Sequence, residues 1–129
     1  MKYREFRPSV KYEGFIKAFW SLEGGAAYSH YSLADACPEL LFHYKGIFDE
    51  VFANNRTDKT FSSGVHGQTT APRRFTIDKP FGIFGVSFYP HALPFLFGMP
   101  SNELTDEMPD LRSLLGANAA ALEEKIFIA

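Results

Sequence analysis

From Ile16 to Glu23 the side chains alternate. Ile16, Ala18, Trp20 and Leu22 fall on one side, and Lys17, Phe19, Ser21 and Glu23 on the other. A period of two predicts a strand with one face turned inward, and Gly24-Gly25 punctuates its end. Similar short runs occupy residues 28–34, 39–46, 47–55, 59–68, 73–79 and 81–89, with Asn54-Asn55 placed as a turn. About seven strands broken by turn signals predict a sandwich or barrel. Gly82 and Gly85 lie inside the last run. Glycine there predicts a bend or a close approach of other groups to the backbone.

Beyond Tyr89 the period changes. Pro90 stops the strand, and "PHALPFLFG" predicts one or two helical turns with Gly98 as C-cap. Phe95, Leu96 and Phe97 are placed to plug the gap between a β body and the helices that follow. "PDLRSLLG" brings Leu111, Leu114 and Leu115 to helical spacing and stops at Gly116. In "NAAALEEKIFIA", Asn118 is the expected N-cap, with Leu122 and Ile126 on one face. These five apolar residues either pack on the β body or form a face that pairs two subunits. The fold class is therefore mainly β with α+β character: a β body over residues 1–89 and a helical junction over 90–129, in one structural domain. The apolar ending "IFIA" either packs on a surface or leads into further polypeptide, and the second is the expectation.

The chain has 129 residues, suited to one domain, and its hydrophobic fraction of 46% is ordinary for a packed core. The aromatic fraction is 16%, with 14 Phe and 6 Tyr, which favours strands and a ring-lined interior. A formal net charge of -2 and a single adjacent basic pair, Arg73-Arg74, give no stripe to follow a phosphate backbone. Cys37 is the only cysteine, so an intrachain disulfide and a cysteine zinc site are both excluded. The opening "MKYREFRPSV" lacks the apolar core of a secretion signal, and no run reaches the length of a membrane span. A cytoplasmic protein without membrane contact is expected.

Little in the sequence points to catalysis. There is no Gly-x-Ser-x-Gly elbow, no phosphate loop and no dinucleotide fingerprint, so no catalytic residue and no cofactor is assigned. The histidines are His30, His43, His66 and His91, and no two are two residues apart. The His-x-His pairing by which metal-binding barrels point two imidazoles inward is thus absent, and no metal is expected. A site assembled from separate strands by His30, His43 and His66 is the alternative. Asp35 and Glu39, four apart across Pro38, suit a turn better than a paired-carboxylate site. Trp20, Phe42, Tyr44 and Phe88 are either core or the wall of a ligand site.

Several segments in order carry a likeness. "EFRPSVKYEGFIKAFWSLE" holds Phe6, Pro8, Phe19 and Trp20, and "LADACPELLFHY" holds Asp35, Glu39, Leu40 and Phe42. "GVHGQTTAP" and "FGVSFYPHALPFLFGMPSNELTD" follow. From about Phe6 to Leu115 the chain resembles the N-terminal sensing or dimerisation domain of AraC-type transcriptional regulators. It departs from them at Ala34 and Ala36, where a proline and a glycine usually flank the turn aspartate, and at His91-Ala92. The resemblance implies a cupin-like β-barrel or jelly roll followed by short helices that pair subunits as a homodimer. It also implies a small-molecule effector, and DNA contact only through a helix-turn-helix domain outside this chain. Together with strand alternation it implies a pocket of Trp20, His30, Phe42, Tyr44, His66, Gln68 and Phe88. A stand-alone cupin-type metal-binding or enzymatic barrel is the competing reading.

Overall fold

A computed structural model describes residues 1–32, 37–92, 94, 98, 101–116, 118–120 and 123. Among these, nine strands form two antiparallel sheets. β1 (Lys2–Phe6), β2 (Ile16–Gly24), β4 (Glu39–Lys45), β7 (Ser63–His66) and β9 (Phe81–Phe88) make the larger sheet, in the order β1-β2-β9-β4-β7. β3 (Tyr28–Ser32), β5 (Asp49–Val51), β6 (Thr57–Lys59) and β8 (Arg73–Ile77) make the smaller, in the order β3-β8-β5-β6.

Most expected strands fall where the pattern puts them, with two corrections. β1 was not foreseen. All five of its residues are exposed, so it carries no apolar period and joins only as an edge partner of β2. The run 59–68 is not one strand. Lys59 ends β6 in the smaller sheet, and β7 begins at Ser63 in the larger. The turn at Asn54-Asn55 closes the β5–β6 hairpin, with Asn55 at φ 66° and the Phe52 amide donating to the Arg56 carbonyl.

Side-chain parity explains the layering. In β9, Phe81 and Ile83 face the smaller sheet and pack with Phe48, Phe75 and Ile77. Val86 and Phe88 face the other way, into a second core with Leu40, Phe42 and Val65. That second core is closed by Ala92, Leu104, Leu111 and Ala119 from the C-terminal segment. The central strands of the larger sheet are thus covered on both faces, by strands in front and by short helices behind. Gly82 and Gly85 are where aromatic rings of neighbouring strands lie directly on β9: Tyr44 over the first and Trp20 over the second.

A 3-10 turn at Ser101–Leu104 and the helix α1 (Leu111–Leu115) complete the covering layer. Asp110 caps α1, its carboxylate accepting from the Ser113 amide at 2.7 Å, and Gly116 ends it at φ 60°. Gly98 also has a positive φ, and its amide donates to the Pro94 carbonyl, as a helix end requires. Asn118, expected as a cap, is itself helical. Between the turn and α1 the chain runs along the free edge of β7. The Val65 amide donates to the Pro109 carbonyl and the Gly67 amide to the Glu107 carbonyl. This strap shields an edge that would otherwise be open to pairing.

Of the two arrangements expected for Leu111, packing on the β body is the one found: it is fully buried in its own chain's second core, with Leu114 and Leu115 packed against that core. The apolar stripe of α1 faces the back of the larger sheet, with Leu111 buried there and Leu114 and Leu115 half-buried beside it. Leu122 and Ile126 lie outside the described residues, as do Phe95, Leu96, Phe97 and the turn around Asp35.

Candidate functional site

The two sheets do not meet along their whole length. Between them lies a cavity of about 420 Å³, within the usual range for small-molecule sites. Its floor is apolar, made by Leu41 of β4, Ile83 of β9, Phe75 of β8 and Phe48. Tyr3 of β1 and His30 of β3, both exposed, line its outer part.

The polar groups come from one row across the larger sheet. Glu39 of β4 stands opposite His66 of β7 on one side and Ser87 of β9 on the other. Residues paired in this way share a face, and all three line the cavity. Trp20 of β2 reaches the same row. Its Nε1 donates to Glu39 Oε2 at 2.9 Å, and Ser87 Oγ donates to the same oxygen at 2.9 Å. The Trp20 ring can lie there because Gly85 beneath it has no side chain. Tyr3 stacks on Trp20 with centroids 6.3 Å apart and donates to Glu5 at 3.0 Å.

Desolvation favours the neutral form of the three histidines that line the cavity. His43 sits beside the Phe48 and Phe61 rings, and desolvation lowers its pKa to about 4. His66 packs edge-on to Phe75 and is lowered to about 4, first by desolvation and then by the positive charge of Arg73. Arg73 is itself held by a two-pronged ion pair with Glu50, at 2.8 and 2.7 Å. His30 is exposed as a residue but lines the cavity, and desolvation there lowers its pKa as well. Neither His43 Nδ1 nor His66 Nε2 makes a hydrogen bond to a described residue.

These residues do not fit a metal ion. His30, His43, His66 and Glu39 share the cavity, yet no three His, Cys, Asp or Glu among the described residues gather closely enough to coordinate one. Glu39 and His66 share one row, whereas His43 lies four residues further along β4 and His30 stands in the smaller sheet.

The profile of the family described as a domain of unknown function, DUF6597, matches residues 4–110. The chain belongs to that family. No curated protein matches it. In fold, this DUF6597 domain is similar to a crystal structure, at 1.9 Å resolution, of the cupin domain of an XRE-family transcriptional regulator from Enterobacter cloacae. The two share 10% identity and a TM-score of 0.50, over 69% of this chain and 96% of that one. The architecture is cupin-like, as the sequence led one to expect. No helix among the described residues is long and apolar enough to cross a membrane.

Of the expected pocket residues, Trp20, His30 and His66 line the cavity. Phe42 and Phe88 do not: both belong to the second core, behind the larger sheet. Tyr44 has the parity of Phe42 and emerges on the outer surface, where its hydroxyl donates to Glu23. Gln68 lies past the end of β7 and donates to Thr105 Oγ1 at 2.7 Å, tying the strap down. The sequence pattern put Glu39 at the start of a strand but gave it no place in the pocket, and it passed over Ser87, Tyr3 and Leu41. The usable signal was a polar residue in a strand otherwise built for burial. Glu39 and His43 flank Leu41 at a spacing of two, and all three face the cavity.

Proposed function

We propose that this domain is a ligand-sensing module of a transcriptional regulator, of the AraC type that its sequence resembles. In this reading it binds a small effector and has no catalytic role. The observation that carries the reading is that β4 borders both the cavity and the helical layer. Leu41 and His43 line the cavity, while Leu40 and Phe42, their immediate neighbours, pack against the core closed by Leu104 and Leu111. A ligand that shifts β4 by a fraction of an ångström must repack the residues under α1, because close-packed interiors transmit strain. Helices moved in this way would alter how a DNA-binding domain attached beyond them is presented, a coupling between two sites through one packed element.

The likeness to a cupin domain taken from a transcriptional regulator supports the same role. The low net charge agrees with DNA contact being made elsewhere. Subunit pairing, if it accompanies sensing, uses surfaces other than the buried face of α1.

The test is a thermal-shift screen of one- and two-ring compounds on the 129-residue chain, repeated on Leu41→Trp. A binder at a hundredfold excess over its Kd stabilises the fold by about 2.7 kcal/mol. We expect such binders for the native chain, none for Leu41→Trp, and slower amide exchange in Leu111–Leu115 when a binder is present. A screen without binders, or binders indifferent to Leu41→Trp, would overturn the reading.

A further inference from the structure

We infer that the cavity selects a cationic amine carried on an aromatic or apolar body, with Glu39 as its charge partner. This rests on the reading of the cavity as a ligand site and deepens it. Among the described residues that line the cavity, Glu39 is the only carboxylic acid, and no lysine or arginine is present. The three histidines are neutral there. An anionic ligand would therefore meet no cationic side chain in the lining, the Arg73 that acts on His66 being already paired with Glu50, and would face a carboxylate at close range, which is unfavourable in a half-buried site.

The surroundings of Glu39 suit an ammonium group in particular. Trp20 and Ser87 both donate to Oε2 and fix the carboxylate's orientation. The stacked rings of Tyr3 and Trp20 lie beside it, and π faces attract cations. His66, opposite Glu39 in the strand register, is 94% buried by its 6% exposure, and its Nε2 lacks a hydrogen-bond partner among described residues. Buried polar atoms of that kind call for an explanation, and a primary ammonium brings three donors. The apolar remainder, with Leu41, Phe48, Phe75 and Ile83, would hold the body of the ligand. Glu5, bonded to Tyr3 and opposite Trp20 in the strand register, puts a second carboxylate next to these rings.

Three soluble probes of one shape separate the possibilities: 2-phenylethylamine, 2-phenylethanol and phenylacetate, titrated calorimetrically into the 129-residue chain at pH 7. The amine should bind about tenfold tighter than the alcohol, a difference of about 1.4 kcal/mol, and phenylacetate should bind weakest. Glu39→Gln should bring the amine down to the level of the alcohol while alcohol binding is unchanged. Should Glu39→Gln fail to fold, Tyr3→Leu on the exposed edge strand should weaken the amine several-fold and the alcohol less. Equal binding of amine and alcohol by the native chain would overturn the inference and leave the cavity reading standing. If none of the three bound, both would fall.

Discussion

The indole of Trp20 occupies the space where Gly85 would carry a side chain. The ring is held in that position by the hydrogen bond from its Nε1 to Glu39. Gly85 and Trp20 are directly paired in the β2–β9 register, so the ring cannot escape sideways without leaving the sheet face. Gly85→Ala should therefore displace the indole, break its bond to Glu39 and cost about 1–3 kcal/mol, as overpacking does. A urea titration with Trp20 fluorescence reports both effects, since Trp20 is the only tryptophan. An unchanged midpoint and emission maximum would show that the ring has slack.

Gly67 presents a harder case. A side chain there would overlap the backbone carbonyl of Leu104, which has no rotamer to change. Gly67→Ala should detach the strap that runs along β7 and cost about 3 kcal/mol, the upper end of ordinary overpacking. Amide exchange is the sharper readout. The amides of Val65 and Gly67, which donate to carbonyls of the strap, should exchange faster than those of β9. Equal protection in the variant and the native chain would mean that the strap moves aside without loss.

How much of this could be read from the sequence follows from what is local and what is not. The Asn54-Asn55 turn, the stop at Gly116 and the span of β9 depend on neighbours in the chain, and the sequence pattern located them. Which face of β4 lines the cavity does not depend on neighbours. Leu40 and Phe42 face one core, and Leu41 faces the other, so both parities are apolar and hydrophobicity cannot choose. The choice of Phe42 and Tyr44 over Glu39 and His43 failed for that reason. The resemblance to a regulator domain supplied the cupin-like architecture, which strand spacing alone left open between sandwich and barrel.

Leu111 distinguishes intramolecular packing from subunit pairing. Its side chain is fully buried within one chain, next to Val65 and Leu40 in the same core. Leu111→Ala should cost about 2–5 kcal/mol, the range for truncating a buried leucine. That loss should be the same at low and high protein concentration. A residue buried only on pairing would instead give a loss that depends on concentration. Urea midpoints measured over a hundredfold range of concentration decide between the two.

His43 and His66 make stability depend on pH in a window of their own. In an unfolded chain an imidazole takes up its proton near its ordinary value of about 6.5. In the folded domain desolvation delays that step to about 4 at both residues. Between those values the unfolded state holds more protons, so stability rises with pH. The contribution is complete above pH 6.5 and is lost as the pH falls toward 4, on the order of a few kcal/mol for the pair. The Asp106 and Asp110 carboxylates, held low by hydrogen bonds from Thr70 and Ser113, act only at still lower pH. Urea midpoints at pH 7, 6, 5 and 4.5 should therefore fall steadily, and the double variant His43→Gln, His66→Gln should flatten the series. A native series already flat over that range would show that water reaches both rings, and the orphaned Nε2 of His66 would then need no ligand to satisfy it.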